Sequence, residues 1–198
     1  MRAALGGYGA IGVITEVELE LDENVKMERR IEEVRLSDYR DYFTRRVLDD
    51  HTCIMHNADL LPPRFDAPVA ITWRATRRPL TSKQRLIPRG QSYKVQRDAL
   101  WAITTLPYAA KLRGPAIEVA RRLRPEVAWR NHEASLDVAS LEPYSRKTST
   151  YALDEFFVPP RHFESFTREM ALILQNRRVE AVNLSIRHSP PDTLSLLP

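Results

Sequence analysis

The glycine run near the start of the chain has the spacing of a dinucleotide-binding loop. Residues 7–12 read Gly-Tyr-Gly-Ala-Ile-Gly and fit the pattern G-x-G-x-x-G. That loop works between a strand and a helix, because the N-terminus of the helix meets the pyrophosphate. Here six residues precede Gly7 and an apolar–acidic alternation follows, so we reject a Rossmann interpretation. Two interpretations remain: a tight structural turn, or a turn whose backbone amides approach the ribose or phosphate of a cofactor.

Polar and apolar side chains alternate along residues 180–187, near the other end of the chain. Asn183, Ser185 and Arg187 would share one face of a strand, and that face is either open to solvent or the lining of a pocket. A guanidinium carries a permanent charge and can stabilise negative charge that develops on a substrate or a reduced cofactor. We interpret this face as a candidate substrate side.

The polar stretch 125–147 contains Trp129, Arg130, Asn131 and His132 in succession. Asn131 and His132 could contact a substrate; the alternative is a surface loop packed by its one tryptophan. The five histidines have no metal-binding spacing and there is a single cysteine, so we expect neither a metal site nor a disulfide. The sequence contains no nucleophile elbow and no P-loop.

The segment from Ala67 to Arg97 contains no acidic residue. Such a run is typical of a solvated, mobile loop, or of a surface that faces anionic lipid or a phosphorylated substrate. Aromatic residues are not interleaved with the basic ones as a stacking platform requires, so we expect no nucleic-acid partner. The basic residues are Arg74, Arg77, Arg78, Lys83, Arg85, Arg89, Lys94 and Arg97.

The periodicity of the chain predicts an α+β fold, an antiparallel sheet with helices packed on it. Ser37 is predicted to cap a helix that ends near residue 50, and residues 125–147 are predicted to be irregular. The predicted strands are 12–21, 25–36, 51–58, 69–76, 148–158 and 180–187, with 25–36 paired to 12–21. The further predicted helices are 95–106, 108–124 and one that follows Pro159-Pro160.

Composition is that of an ordinary soluble globular protein. The chain has 198 residues, of which 43% are hydrophobic and 28% charged, and a formal net charge of +4. No apolar run reaches the roughly 18 residues of a membrane span, and the first residues do not form a signal peptide. We therefore expect a cytoplasmic protein that could touch a membrane only peripherally, through the basic stretch.

A family resemblance begins at the glycine run. The sequence Gly-Gly-x-Gly-x-x-Gly-Val-Ile-Thr at 6–15, followed by an alternating strand, resembles the end of the FAD-binding domain in flavoproteins of the vanillyl-alcohol oxidase type, the PCMH-type FAD-binding superfamily. The resemblance implies that FAD is the cofactor and that Ile14 contacts it through its backbone. The cofactor-binding residues that it implies are Gly7, Gly9, Gly12, Val13 and Ile14.

A second resemblance lies near the other end. Asp-Glu-Phe-Phe-Val-Pro at 154–159 and Val-Asn-Leu-Ser-Ile-Arg-His at 182–188 resemble the substrate domain of sugar-lactone and alditol oxidases, and that of decaprenylphosphoryl-ribose oxidases. In the sugar-lactone and alditol branch a strand here carries Glu-x-Arg, whose Arg faces flavin and substrate. Arg187 matches that Arg, and Ser185 stands where the Glu would be, which leaves the substrate open.

Together the resemblances imply a fragment of an FAD-dependent oxidoreductase that oxidises a CH–OH group of a sugar, polyol or lactone. Arg187 and Ser185 would be catalytic residues. Asn183, Asn131 and His132 would bind the substrate. Residues 1–22 would end the FAD-binding domain, and 23–198 would form a ferredoxin-like cap domain, incomplete at its C-terminus, with helices on one face of the sheet. Members of the family also carry an upstream phosphate-binding loop. The alternative is a non-catalytic remnant or binding module that does not hold FAD alone and binds an anionic partner through residues 74–97.

Overall fold

The computed structural model divides the chain into two compact units. The smaller unit comprises Met1–Glu23 and Arg187–Pro198, and the larger unit comprises Asn24–Ile186. The residues that the structure describes are 2–7, 9–62, 64–105, 124–136, 143–147, 150, 152–179, 181 and 184–193.

The larger unit contains strands and helices, which confirms the predicted α+β class. The strands are β1 (Lys26–Glu33), β2 (Cys53–Leu60), β3 (Val69–Ala75), β4 (Val127–Trp129) and β5 (Leu184–Ile186). The helices are α1 (Tyr39–Phe43), α2 (Lys94–Thr105), α3 (Arg130–Ala134) and α4 (Phe163–Asn176). Short 3-10 turns precede α1 and α4, at Leu36–Asp38 and Pro160–His162, and a π-helical turn, Thr44–Leu48, follows α1.

The strands form one five-stranded sheet in the order β4-β1-β3-β2-β5, and every pairing is antiparallel. The central strand is β3, whose first five residues, Val69–Trp73, are all buried. A strand covered on both faces carries apolar side chains at successive positions, as this one does. The predicted strand 69–76 is confirmed within one residue, and the predicted strand 51–58 corresponds to β2 with a shift of two residues.

Helices α1 and α4 cover one face of the sheet. Tyr39 of α1 packs with Ala58 of β2 and Ala70 of β3, and Ala171 of α4 packs with Leu60 of β2. The predicted amphipathic helix after Pro159-Pro160 is confirmed as α4, because its apolar residues recur at spacings of three and four. An ion pair one helical turn apart, Glu164 with Arg168 at 2.7 Å, lies on its solvent side.

The opposite face of the sheet has its own core. Successive residues of a strand point to opposite faces, so Ile71 and Trp73 lie on the side away from Ala70. They form a buried cluster with Met27 of β1 and Ala128 of β4. Trp73 is 1% exposed and is the largest fully buried side chain in the described part of the chain.

The predicted strand 12–21 is not a strand in the structure, and its prediction is wrong. Residues 12–21 are described and exposed, and no ladder of hydrogen bonds joins them to another described segment. The predicted partner, 25–36, does contain β1, but β1 pairs with β3 and β4 instead. An alternating pattern shows that a segment suits a half-buried strand, whereas the strand itself requires a neighbour.

Three further predictions are corrected. The described residues 152–158 of the predicted strand 148–158 form no strand, and they are exposed except for half-buried Val158. The stretch 125–147, predicted to be irregular, contains β4 and α3. Ser37 does not cap α1; it lies within the 3-10 turn and its hydroxyl donates to the Asp38 carboxylate at 3.0 Å.

The predicted helix 95–106 appears as α2, and the predicted helix 108–124 lies almost wholly outside the described residues.

Among the described residues, no helix is both long enough and apolar enough to cross a bilayer.

Candidate functional site

Ser185 is joined to Asp59 of the neighbouring strand. The two residues lie directly opposite each other in the β2–β5 ladder, and the Ser185 hydroxyl donates to Asp59 Oδ1 at 3.2 Å. Ser185 is exposed and Asp59 is half-buried. A carboxylate can only accept, so the Ser185 proton points toward Asp59. Asp59 is a candidate site residue that the sequence analysis missed.

A second polar side chain, Asn57, lies on the same face of β2 as Asp59. The cross-strand partners of Asn57 and Asp59 are Ile71 and Val69 of β3, which place both polar residues on the Trp73 side of the sheet. Both are half-buried. Helices α1 and α4 cover the other face of the sheet. Asn57 and Asp59 therefore lie on the same face as the buried cluster around Trp73.

Arg187 follows directly after β5, which ends at Ile186. It therefore does not extend the strand as predicted, and it belongs to the smaller unit, which also contains the glycine run. Its side chain is exposed, and no described residue forms an ion pair or hydrogen bond with it. Asn183, the third member of the predicted polar face, lies outside the described residues.

The glycine run forms a turn, as both of its interpretations require. The Gly7 amide donates to the Ala4 carbonyl at 3.3 Å, and the Ala10 amide donates to the Gly7 carbonyl at 2.9 Å. Gly9 has φ +78°, a conformation that costs a side-chain-bearing residue about 1–2 kcal/mol. A Cβ at Gly7 would lie 2.6 Å from the Ala3 carbonyl oxygen, so only glycine fits there without a shift of the backbone.

The residues after this turn are open to solvent. Val13 is 86% exposed and Ile14 is 53% exposed. Nothing lies within 4 Å of a Cβ placed on Gly12. The backbone amides of residues 12–14 donate to no acceptor among the described residues. A ligand could therefore approach this stretch of backbone closely.

Asn131 and His132 belong to the one-turn helix α3 rather than to a loop. The Asn131 amide donates to the side-chain oxygen of Asn24 at 3.0 Å, which satisfies one of the open amides at the start of the helix. His132 is only 7% exposed, and its Nδ1 has no hydrogen-bond partner in the described part of the chain. A buried polar atom without a partner is unfavourable in a folded protein. The substrate contact of these two residues stays a prediction.

A buried polar network that the sequence analysis missed lies under α1. His56 of β2 contacts the Tyr39 hydroxyl through Nε2 at 3.0 Å and the Thr72 hydroxyl through Nδ1 at 2.9 Å. A neutral imidazole has one donor and one acceptor, so these two contacts satisfy it fully. The sequence did contain a signal for the burial of His56. In a strand every second residue shares a face, which places His56 with the apolar Ala58 and Leu60.

The surroundings of this network disfavour charge on the histidine. Burial, together with the guanidinium of Arg74, lowers the pKa of His56 to about 4. Burial also raises the pKa of the Tyr39 hydroxyl. Arg74 is held by the Asp50 carboxylate at 2.7 Å. His56 is therefore a neutral structural group near pH 7, with both ring nitrogens engaged, and it is not a candidate for acid–base chemistry.

The basic stretch 74–97 is partly neutralised within the chain. Arg78 forms ion pairs with Glu28 at 2.8 Å and Glu126 at 3.8 Å. Lys94 pairs with Asp98 at 2.8 Å, and the Arg85 guanidinium lies 5.1 Å from the centre of the Trp129 ring. Three exposed cations have no partner among the described residues: Arg77, Lys83 and Arg89.

Comparison with known proteins finds no match among family models, curated proteins or solved structures. Among the described residues, no three His, Cys, Asp or Glu side chains are grouped so that they could hold a metal ion.

Proposed function

We propose that this chain is part of an FAD-dependent oxidoreductase that oxidises a CH–OH group of a sugar, polyol or lactone. The observation that carries the proposal is the open glycine turn, whose sequence resembles the cofactor side of PCMH-type flavoproteins. FAD, when bound, would accept a hydride from the substrate carbon, and the hydroxyl proton would leave to solvent. Residues 1–22 would supply the end of the FAD-binding domain, residues 23–198 would form the cap domain, and the protein would work in the cytoplasm.

The turn and the residues after it suit a cofactor that is held through backbone atoms. Gly7 and Gly9 set the path of the chain, one through lack of space for a Cβ and the other through its positive φ. The amides of Gly12, Val13 and Ile14 have no acceptor among the described residues. Free amides are good donors to ribose hydroxyls and phosphate oxygens, and this stretch offers three in succession.

The chain's own side chains would bind and orient the substrate. The Arg187 guanidinium would stabilise negative charge as it develops on the substrate or the reduced cofactor. The Ser185 hydroxyl, which donates to Asp59 at 3.2 Å, would contact the substrate. Asp59 would act as a positioning residue through Ser185.

Flavin binding is tested with a pair of glycine variants. The protein is incubated with FAD, freed of excess cofactor by gel filtration, and examined for visible flavin absorption and for a rise in Tm. Gly9 and Gly90 have nearly equal positive φ values, +78° and +76°, and a Cβ at either meets nothing within 4 Å. We expect Gly9→Ala to weaken FAD binding at least tenfold, because the strained turn must shift.

Gly90→Ala is the matched control, since it introduces the same strain inside the basic stretch and outside the glycine run. It should retain flavin as the wild type does. Equal losses in the two variants would show a general effect of destabilisation. A colourless wild-type protein whose Tm does not respond to FAD would favour the second candidate function below.

A variant of Arg187 tests the substrate side. With FAD bound, Arg187→Ala should lower turnover at least tenfold, which corresponds to about 1.4 kcal/mol of transition-state stabilisation. Arg187→Lys should be faster than Arg187→Ala but slower than the wild type, since lysine keeps the positive charge but lacks the planar, two-point hydrogen bonding of a guanidinium. Turnover is followed as reduction of an artificial electron acceptor over a panel of sugars, polyols and lactones. Arg177→Ala, at an exposed arginine beyond α4, is the control, and an Arg187→Ala rate equal to it would contradict the assignment.

The second candidate function is a binding module without flavin that recognises an anionic partner through residues 74–97. The observation in its favour is the set of cations in this stretch, Arg77, Lys83 and Arg89, that no described carboxylate neutralises. A phosphorylated molecule or an anionic lipid surface would find unpaired positive charge there.

A further inference from the structure

A groove lies at the end of the sheet where β1 begins and β3 ends. Its volume is about 400 Å³, within the roughly 300–1,000 Å³ of small-molecule sites. The residues that line it are Val25, Lys26, Ala75, Thr76, Arg77 and Trp129. They come from three parts of the sequence, and none belongs to the candidate flavin or substrate residues.

The backbone around the groove is held by hydrogen bonds. The Thr76 amide donates to the Lys26 carbonyl at 3.1 Å, which extends the β1–β3 pairing past the end of β3. The Arg130 amide donates to the Val25 carbonyl at 2.9 Å, and Lys26 lies opposite Trp129 in the β1–β4 ladder. The groove is therefore built on sheet backbone, and its side chains start from fixed positions.

Two cations of the groove have no carboxylate partner in the described part of the chain. The nearby acid Glu28 forms an ion pair with Arg78 at 2.8 Å, so its charge is already balanced. Arg77, the adjacent residue, is exposed and unpaired. The Lys26 ammonium donates to the Arg78 carbonyl at 3.4 Å, which leaves its charge uncompensated. The groove is thus positively charged.

An aromatic ring stands beside these charges. Trp129 is half-buried and lines the groove. The guanidinium of Arg85 lies 5.1 Å from the centre of its ring, a contact that helps to keep the indole in place. A flat ring beside two cations can recognise a ligand that carries both an aromatic ring and a phosphate.

We propose that this groove binds a nucleotide, with the phosphates on Lys26 and Arg77 and the base against Trp129. The proposal refines the second candidate function and rests on its claim of an anionic partner; it does not require flavin to bind. Lys26 and Trp129 lie outside the basic stretch, so the groove, and not the stretch as a whole, is the recognition element.

The test is a calorimetric titration of the full chain, without FAD, with ADP, pyrophosphate and adenosine in turn. ADP should bind tightest, pyrophosphate about tenfold more weakly and adenosine most weakly. Pyrophosphate lacks the base that contacts Trp129, and adenosine lacks the phosphates that contact Lys26 and Arg77. Arg77→Ala should weaken ADP at least tenfold. Trp129→Leu should bring the affinity for ADP down to that for pyrophosphate, with its fold checked by circular dichroism.

The matched control is Lys83→Ala, which removes an exposed, unpaired cation of the same stretch outside the groove. Its affinity for ADP should stay within about twofold of the wild type, since it changes only long-range electrostatics. Equal losses in Arg77→Ala and Lys83→Ala would overturn the proposal in favour of unspecific charge attraction. Binding to phosphatidylserine vesicles without binding to ADP would also overturn it, in favour of a membrane surface. FAD carries an ADP half that could also enter the groove, so retained FAD supports the oxidoreductase proposal only if Arg77→Ala still retains it and Gly9→Ala does not.

Discussion

Replacing Trp73 with alanine is expected to lower the free energy of unfolding by about 3–5 kcal/mol. The Trp73 side chain is 1% exposed and packs with Met27, Ile71 and Ala128 on the face of the sheet away from α1 and α4. The Arg29 guanidinium also lies 5.9 Å from the centre of its ring. Removing the indole leaves a cavity in the middle of the central strand, where the backbone is held on both sides and cannot collapse.

Urea denaturation followed by far-ultraviolet circular dichroism measures this effect, since it does not depend on tryptophan fluorescence. The control is Trp101→Ala on α2, a side chain that is 51% exposed, and we expect it to cost less than about 1 kcal/mol. If the two substitutions lowered the midpoint equally, Trp73 would not lie in a packed core. A changed dependence of the free energy of unfolding on urea for Trp73→Ala would show that the compactness of the native or the denatured state, or the two-state behaviour, had changed.

Stability is expected to fall as the pH drops from about 6.5 toward 4, and His56 is expected to contribute to that fall. Its pKa is lowered from 6.5 in the unfolded chain to about 4 in the native protein, by burial and by Arg74. In this window the unfolded state binds the extra proton and the native state does not, so acid favours unfolding. The stabilisation is therefore present above pH 6.5 and lost as the pH falls toward 4. If the whole pKa shift of His56 were converted into free energy of unfolding, it would amount to roughly 3 kcal/mol. Solvent screening at this half-buried site reduces the expected loss of stability to on the order of 1–2 kcal/mol.

The measurement is the free energy of unfolding at a series of pH values for the wild type, His56→Gln and His51→Gln. Glutamine has a donor and an acceptor that can reach Tyr39 and Thr72, but it does not titrate. His56→Gln should therefore show a flatter profile between pH 6.5 and 4. His51 is exposed, and its variant should follow the wild type. Identical slopes in all three proteins would contradict the buried, neutral state of His56.

Elements with a complete local signal could be predicted from the sequence. The strand β3 is a run of β-branched and aromatic residues, and α4 combines helical spacing of apolar residues with a proline at its start. In both elements the intrinsic propensity of the residues, the spacing of the apolar side chains and the residues at the ends favour the same secondary structure. Tertiary contacts only reinforce that preference. The α+β class follows from these elements and from the order in which they occur.

Pairing is the part that local signals do not contain. Residues 12–21 alternate more regularly than β1, yet β1 is the strand, because Val69–Ala75 and Val127–Trp129 lie beside it. The strand β4 was missed because three residues are too few to show a period of two. A strand depends on its neighbours at least as much as on its own side chains.

The same distinction applies to the candidate site. Ser185 could be singled out from its alternation with Leu184 and Ile186, but Asp59 could not, because their contact joins residues 126 positions apart. The groove at Arg77 likewise depends on Trp129, which reaches it through the β1–β4 ladder. The glycine turn is the exception, because its geometry is local, and glycine permits the positive φ that Gly9 adopts.

The position of β5 in the sheet has a consequence for how the protein is made. β5 is formed by Leu184–Ile186, near the end of the chain, yet it pairs with β2, which was synthesised more than a hundred residues earlier. During translation the edge of β2 that pairs with β5 stays open until Leu184–Ile186 have left the ribosome. Long-range pairings of this kind slow folding, and an open strand edge is a site where nascent chains can associate wrongly. The larger unit should therefore complete its sheet late in synthesis, and chaperones that shield strand edges would act on it in that interval.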